Sequence, residues 1–131
     1  MSKAPELGEL QLAILRVLWK KKKASAADVH SALGARRDIA ITTVSTILTR
    51  LERRGIVSHR TMGRTFVYRP AITEKAVRSS MLRSLVNSVF SRDPTAVVSQ
   101  LLTSRDISRG DLDRMRDLID ESRRQGRKKR G

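Results

Sequence analysis

Apolar residues recur at helical spacing along most of this 131-residue chain, interrupted near the middle by a stretch of period two. Leu7, Leu10, Ile14, Val17 and Leu18 form the first stripe and predict a helix from about Glu6 to Trp19. Glu6 and Glu9 complement its positive N-terminus, and Pro5 stands near the start, where a first turn tolerates it. Ser25 and Asp28 have the spacing of a capping box and open a short helix through Val29 and Leu33, closed by Gly34. Ala35 to Ile41 reads as a turn. Val44, Ile47, Leu48 and Leu51 then fall at i, i+3, i+4 and i+7, the buried back of a third helix with Thr42 or Thr43 as its N-cap. Gly55 sits where a left-handed C′ residue belongs, and Ile56 follows as C″, within reach of Leu51.

The period shifts to two after Gly55. Ile56 to Arg60 and Thr65 to Arg69 are β-prone, with Phe66 and Tyr68 alternating against Val67, and Thr61-Met62-Gly63-Arg64 is the expected hairpin tip. Pro70 ends the strand. The rest is helical. Thr73 caps a long helix to about Phe90, whose apolar rows include Val77, Met81, Leu85 and Val89. Asp93-Pro94 is a cap followed by proline at N1, and Val97, Val98, Leu101 and Leu102 make a short stripe. Ser108 with Asp111 opens a last helix carrying Leu112, Met115, Leu118 and Ile119. Three such faces exceed what one small bundle hides, which argues for burial against a second copy. The expected dimerisation set is Val77, Met81, Leu85, Val89, Val98, Leu101, Leu112, Met115 and Ile119.

The predicted class is mainly α with a small β-hairpin. Residues 1–71 form a winged helix-turn-helix DNA-binding domain, 72–122 a helical dimerisation domain, and 123–131 a basic tail read as disordered.

The polar front of the third helix makes it the candidate recognition helix. It holds Thr42, Thr46, Thr49 and Arg53, flanked by Ser45 and Arg50, and Thr43 beside Thr42 joins the candidate DNA contacts. Short hydroxyls and long cations reach base edges and phosphates in a major groove. Arg60, Arg64 and Arg69 stud the following hairpin, so Arg60 and Arg64 join the candidate DNA contacts as parts of a wing. A polar helix face and solubilising hairpin arginines are also ordinary surface features. Charge shifts the balance: 28 Lys plus Arg against 13 Asp plus Glu leaves +15, which implies a polyanionic partner, nucleic acid before an acidic membrane. At 39% hydrophobic residues the chain can still bury a core. With four aromatics, Phe66 and Tyr68 are the one candidate pair for an RNA-stacking platform.

No cysteine is present, which excludes disulfides, thiolate catalysis and cysteine-based metal sites. His30 and His59 each stand alone, so no metal site is expected and no cofactor is implied. There is no GxSxG, P-loop or HExxH, and the carboxylates are scattered, so an enzyme is not expected. No signal peptide and no apolar run near 20 residues is visible, and the expected location is cytoplasmic, without membrane insertion.

The segments ELGELQLAILRVLW, ADVHSAL, ITTVSTILTRLERRGIV and GRTFVYRP, in that order and spacing, resemble the penicillinase repressor family of winged-helix transcriptional repressors. The resemblance runs from about Glu6 to Glu121, and TTV-x-T-x-L-x-RL from Thr42 to Leu51 is its most specific part. It implies a homodimer in which each N-terminal unit reads half of an inverted repeat, often upstream of β-lactamase genes. It also implies a membrane sensor that relieves repression by causing the repressor to be cut. Known members are cut at an Asn-Phe bond. Alignment on the final helix places Gln100-Leu101 there, a departure from that pattern. The family's copper-responsive branch relies on a Cys-rich C-terminus, and this chain has no cysteine. A sequence-tolerant architectural DNA protein is the alternative that charge alone also allows.

Overall fold

The stripes fold as six helices and three short strands in this computed structural model, which describes residues 7–34 and 37–130, with side chains through Arg127. In chain order these are α1 (Glu9–Lys21), β1 (Ala24–Ser25), α2 (Ala26–Leu33), α3 (Ile41–Arg53), β2 (Val57–Met62), β3 (Thr65–Pro70), α4 (Glu74–Val89), α5 (Pro94–Leu102) and α6 (Arg109–Arg130). The expected helix start at Pro5 and Glu6, and Ala35 and Arg36 of the predicted turn, lie outside the described residues.

The caps follow from side-chain chemistry. Asp28 N–H donates to Ser25 Oγ at 3.1 Å, and Ser25 N–H donates back to the Asp28 carboxylate at 3.2 Å. The Ser25 backbone bond, then the Ser25 hydroxyl, hold the Asp28 carboxyl below its usual range. The same reciprocal pair joins Ser108 and Asp111 at the start of α6. Asp93 caps α5, with Pro94 at its first position. The N-cap of α3 is Ala40, not Thr42 or Thr43. The chain turns helical two residues earlier than a hydroxyl cap would place it, which leaves both threonines exposed in the first turn.

The end of α3 is a Schellman motif. Gly55 has φ +75°, Ile56 N–H donates to Leu51 O, and Gly55 N–H donates to Glu52 O, both at 2.9 Å. The turn sends the chain straight into β2. β2 and β3 pair antiparallel, with His59 opposite Tyr68 and Met62 opposite Thr65. The strand therefore includes Thr61 and Met62, and the tip is only Gly63-Arg64. Positive φ falls at Gly63 and not at Arg64, the pattern of a II′ hairpin turn. β1 adds to the other side of β3, giving the order β1-β3-β2. A two-residue strand shows no alternation, so nothing in the sequence pattern announced it.

The core joins Ile14, Leu15 and Leu18 of α1, Val29 of α2, and Val44, Leu48 and Leu51 of α3 to Ile56, Val57 and Tyr68. Burying a side chain of this size contributes about 1.5–3 kcal/mol, so the helical triad and the sheet hold each other. Trp19 Nε1–H donates to Ile72 O at 2.9 Å and fixes the approach to α4.

The chain divides into two compact units, residues 1–84 and 85–131, with the break inside α4. Among the described residues, every buried one lies between Ala13 and Val77. Val77 is 1% exposed, so it is enclosed within the first unit and has no surface to give a second copy, against its expected place in the dimerisation row. In the second unit no described residue is buried. α6 continues to Arg130, through the stretch expected to be a disordered tail. Glu121 bonds Arg124 and Gln125 across one turn, and residues 121–130 contain no proline and are mostly good helix formers.

Candidate nucleic-acid interface

α3 packs by Val44, Leu48 and Leu51, which turns Thr42, Thr43, Thr46, Thr49, Arg50 and Arg53 outward and leaves Ser45 half-buried. The hydroxyls are not equivalent. Thr46 Oγ1 donates to Thr42 O at 2.9 Å, and Thr49 Oγ1 donates to Ser45 O at 2.9 Å. Each has spent its proton on the helix, so each offers only lone pairs outward. Thr49 is engaged further, because its side chain hydrogen-bonds the Tyr68 hydroxyl. Tyr68 is buried in the sheet. That burial, and next the nearby Glu52 charge, push its phenol above its usual range against the opposing effect of Thr49. Thr49 thus braces the wing, and Thr42, Thr46, Arg50 and Arg53 carry the open face.

On the hairpin, side chains alternate between faces. His59 and Tyr68 share the inner face by register, which puts Arg60 and Arg69 together on the outer one, both exposed. Arg64 occupies the tip. Phe66 stacks on His59, ring centroids 4.2 Å apart at 22°, and Tyr68 is buried. The pair considered as a base-stacking platform is therefore engaged with the protein itself.

Sequence reading missed Glu52. It accepts the His59 backbone N–H at 2.9 Å and faces the His59 ring Nδ1 at 2.7 Å, joining recognition helix to wing. One signal was available: Glu52 is the only acid between Asp38 and Glu74, in a stretch rich in arginine. His30, read as a lone histidine at the surface or partly buried, is half-buried and bonds Ile39 O through Nε2 at 2.8 Å, tying α2 to the turn before α3. Among the described residues no cluster of His, Asp or Glu could hold a metal ion.

Charge is partitioned along the chain. Residues 1–84 hold 17 basic and six acidic side chains, net +11. Residues 85–122 hold five basic and seven acidic, net −2, and residues 123–130 hold six basic and no acid. The positive field therefore sits mainly on the unit that carries α3 and the hairpin. Met81, Leu85 and Val89 lie on α4, Val98 and Leu101 on α5, and Leu112, Met115 and Ile119 on α6. All are exposed except Met81 and Met115, which are half-buried. Gln100 and Leu101 are exposed near the end of α5. No described helix is long and apolar enough to cross a membrane.

The geometry has counterparts. The chain is 21% identical over 120 residues to the methicillin resistance regulatory protein MecI of Mammaliicoccus sciuri, covering 92% of this chain and 98% of that one. It is 26% identical over 121 residues to the penicillinase repressor of Bacillus licheniformis, covering 92% and 94%. The solved DNA-binding domain of the repressor BlaI superposes with a TM-score of 0.51 at 32% identity, over 58% of this chain and 93% of that domain, so the N-terminal unit is a winged helix. The family profile described as penicillinase repressor matches residues 7–121, nearly the whole of both units. On that match the chain belongs to the penicillinase repressor family.

Proposed function

We propose that the chain is a homodimeric transcriptional repressor of inverted-repeat operator DNA, acting in the cytoplasm and without enzymatic activity. One observation carries the reading. α3 is anchored by a fully buried back and presents Thr46, Arg50 and Arg53 outward, next to a hairpin whose Arg60, Arg64 and Arg69 are all exposed. α3 enters the major groove, the wing meets flanking phosphate or the minor groove, and the net charge of +11 steers the encounter. Dimerisation has its own support. Leu85, Val89, Val98, Leu101, Leu112 and Ile119 are exposed on a unit with no buried residue among those described, and a second copy would cover them. Release by proteolysis, prompted by a membrane sensor, completes the reading, as do β-lactamase or related resistance genes as targets.

The charge would equally suit an architectural protein indifferent to sequence. The two separate on affinity for a palindromic fragment of the gene's own upstream region against a scrambled fragment of equal length. A repressor prefers the palindrome by roughly 10³ or more, and a ratio near one favours the architectural reading.

Two side chains report on the mode of binding. Thr46 offers lone pairs and a methyl group, which suit a cytosine or adenine amino group or a thymine methyl. Thr46→Ala is expected to cost about 1–3 kcal/mol on the correct site and little on random DNA. Equal losses on both would make Thr46 a backbone contact. Arg64→Ala is expected to weaken all DNAs and lower the log–log salt slope by about one unit. An unchanged slope would place the wing tip away from phosphate.

A further inference from the structure

We propose that Glu52 is a positioning residue that latches the wing to the recognition helix and so sets where the wing arginines meet DNA. The inference rests on the operator-binding reading above. β2 is an edge strand, so its outer side has no neighbouring strand to take its backbone donors. Glu52, in the last turn of α3, reaches across and accepts from His59 twice. The backbone N–H lies at 2.9 Å and the ring Nδ1 at 2.7 Å. Facing a carboxylate, Nδ1 carries the proton, which fixes the tautomer and the ring orientation. The fixed ring then stacks on Phe66 and lies 5.5 Å from Tyr68. Helix α3, strand β2 and strand β3 thus meet on one imidazole.

The placement is electrostatically costly for a DNA-binding face. Glu52 is the one acid between Asp38 and Glu74, and its charge repels phosphate. Charge alone predicts that removing it tightens binding to every DNA. The latch predicts the reverse. Covalently, α3 and β2 are joined only by the Gly55 turn, and each bond beyond it restricts how the hairpin tilts.

The test compares Glu52→Ala, Glu52→Gln and Arg64→Ala in the full chain. Glu52→Ala is expected to speed hydrogen exchange at the His59 amide about tenfold, the loss of one hydrogen bond, while the amides of Val44 and Leu48 keep their protection. It is expected to weaken DNA binding and lower the salt slope by about one unit, as Arg64→Ala does. The double variant is expected to fall no further than either single one, because both remove the same contact. Glu52→Gln loses the charge but keeps an acceptor oxygen, so partial recovery of exchange protection and slope marks the hydrogen bond as the active element. Tighter binding by Glu52→Ala, or unchanged exchange at His59, overturns the latch. If Arg64→Ala leaves the slope intact, the wing reading itself fails and the positioning role falls with it. If Arg64→Ala lowers the slope and Glu52→Ala does not, only the latch is wrong.

Discussion

Ending the chain at Ser84 is expected to leave a folded monomer that binds operator DNA about 10²–10⁴-fold more weakly than the whole protein. Both halves of this result follow from where the apolar surface goes. Every buried residue among those described lies between Ala13 and Val77, so the shortened chain keeps that core. It also keeps the Trp19 bond to Ile72 O, which a cut after Arg69 would remove along with Val77. What is lost is the exposed apolar face of α5, α6 and the end of α4. Two half-sites bound by linked units gain from effective concentration, and unlinked units lose that gain without losing a single DNA contact. Sedimentation reads the assembly, thermal melting reads the fold, and titration against a full and a half operator reads the affinity. The full chain should distinguish the two DNAs strongly and the shortened chain hardly at all. A stable dimer of residues 1–84 would move the interface into the DNA-binding unit.

Local signals in the sequence were legible where the chemistry is local. The Ser25–Asp28 and Ser108–Asp111 boxes, the Asp93-Pro94 start and the Gly55-Ile56 turn each form between residues at most five apart, and each is present as read. The stripe of Val44, Leu48 and Leu51 likewise faces the core because helical periodicity requires one buried side. The winged-helix class followed from the order of these pieces. What stayed hidden depends on contacts between elements. β1 exists only because β3 passes beside Ala24. Thr49 looks the same as Thr46 on a helical wheel, and only the arrival of Tyr68 from β3 distinguishes them. Val77 shares a row with Met81 and Leu85, yet the first unit encloses it. The paired roles of Glu52 and His59 need both the helix end and the hairpin register to be known. The charge partition was available from the start. It gains meaning only once residues 1–84 and 85–131 are seen as separate units.

Cutting between Ser91 and Ser108 is expected to release the operator, and this segment is the expected first site of attack in the folded protein. A protease needs several residues in extended form, so susceptibility follows the cost of local opening. That cost is low here for three reasons. Ser91 and Arg92 both have positive φ, at 51° and 66°, without being glycine, a conformation that costs roughly 1–2 kcal/mol per residue and is relieved on opening. α5 has nine residues and none is buried, and helices this short are marginal without packing. Thr103 to Ser108 is held by short-range bonds such as Thr103 Oγ1 to Gln100 O and Asp106 N to Ser104 Oγ. Within residues 9–84 the one described non-glycine residue with positive φ, Lys22, follows α1, whose Ile14, Leu15 and Leu18 are fully buried. A cut at Gln100-Leu101 or elsewhere in the segment severs α6, with Leu112, Met115 and Ile119, from the DNA-binding unit, and affinity falls toward that of the chain ending at Ser84. Limited proteolysis with a nonspecific protease, read by mass spectrometry, is expected to yield first fragments with new ends between 91 and 108. In cells, β-lactam exposure is expected to produce the same fragment as target genes are induced. Induction with the chain intact would end the proteolytic account and turn the search to a ligand or partner that weakens the dimer directly.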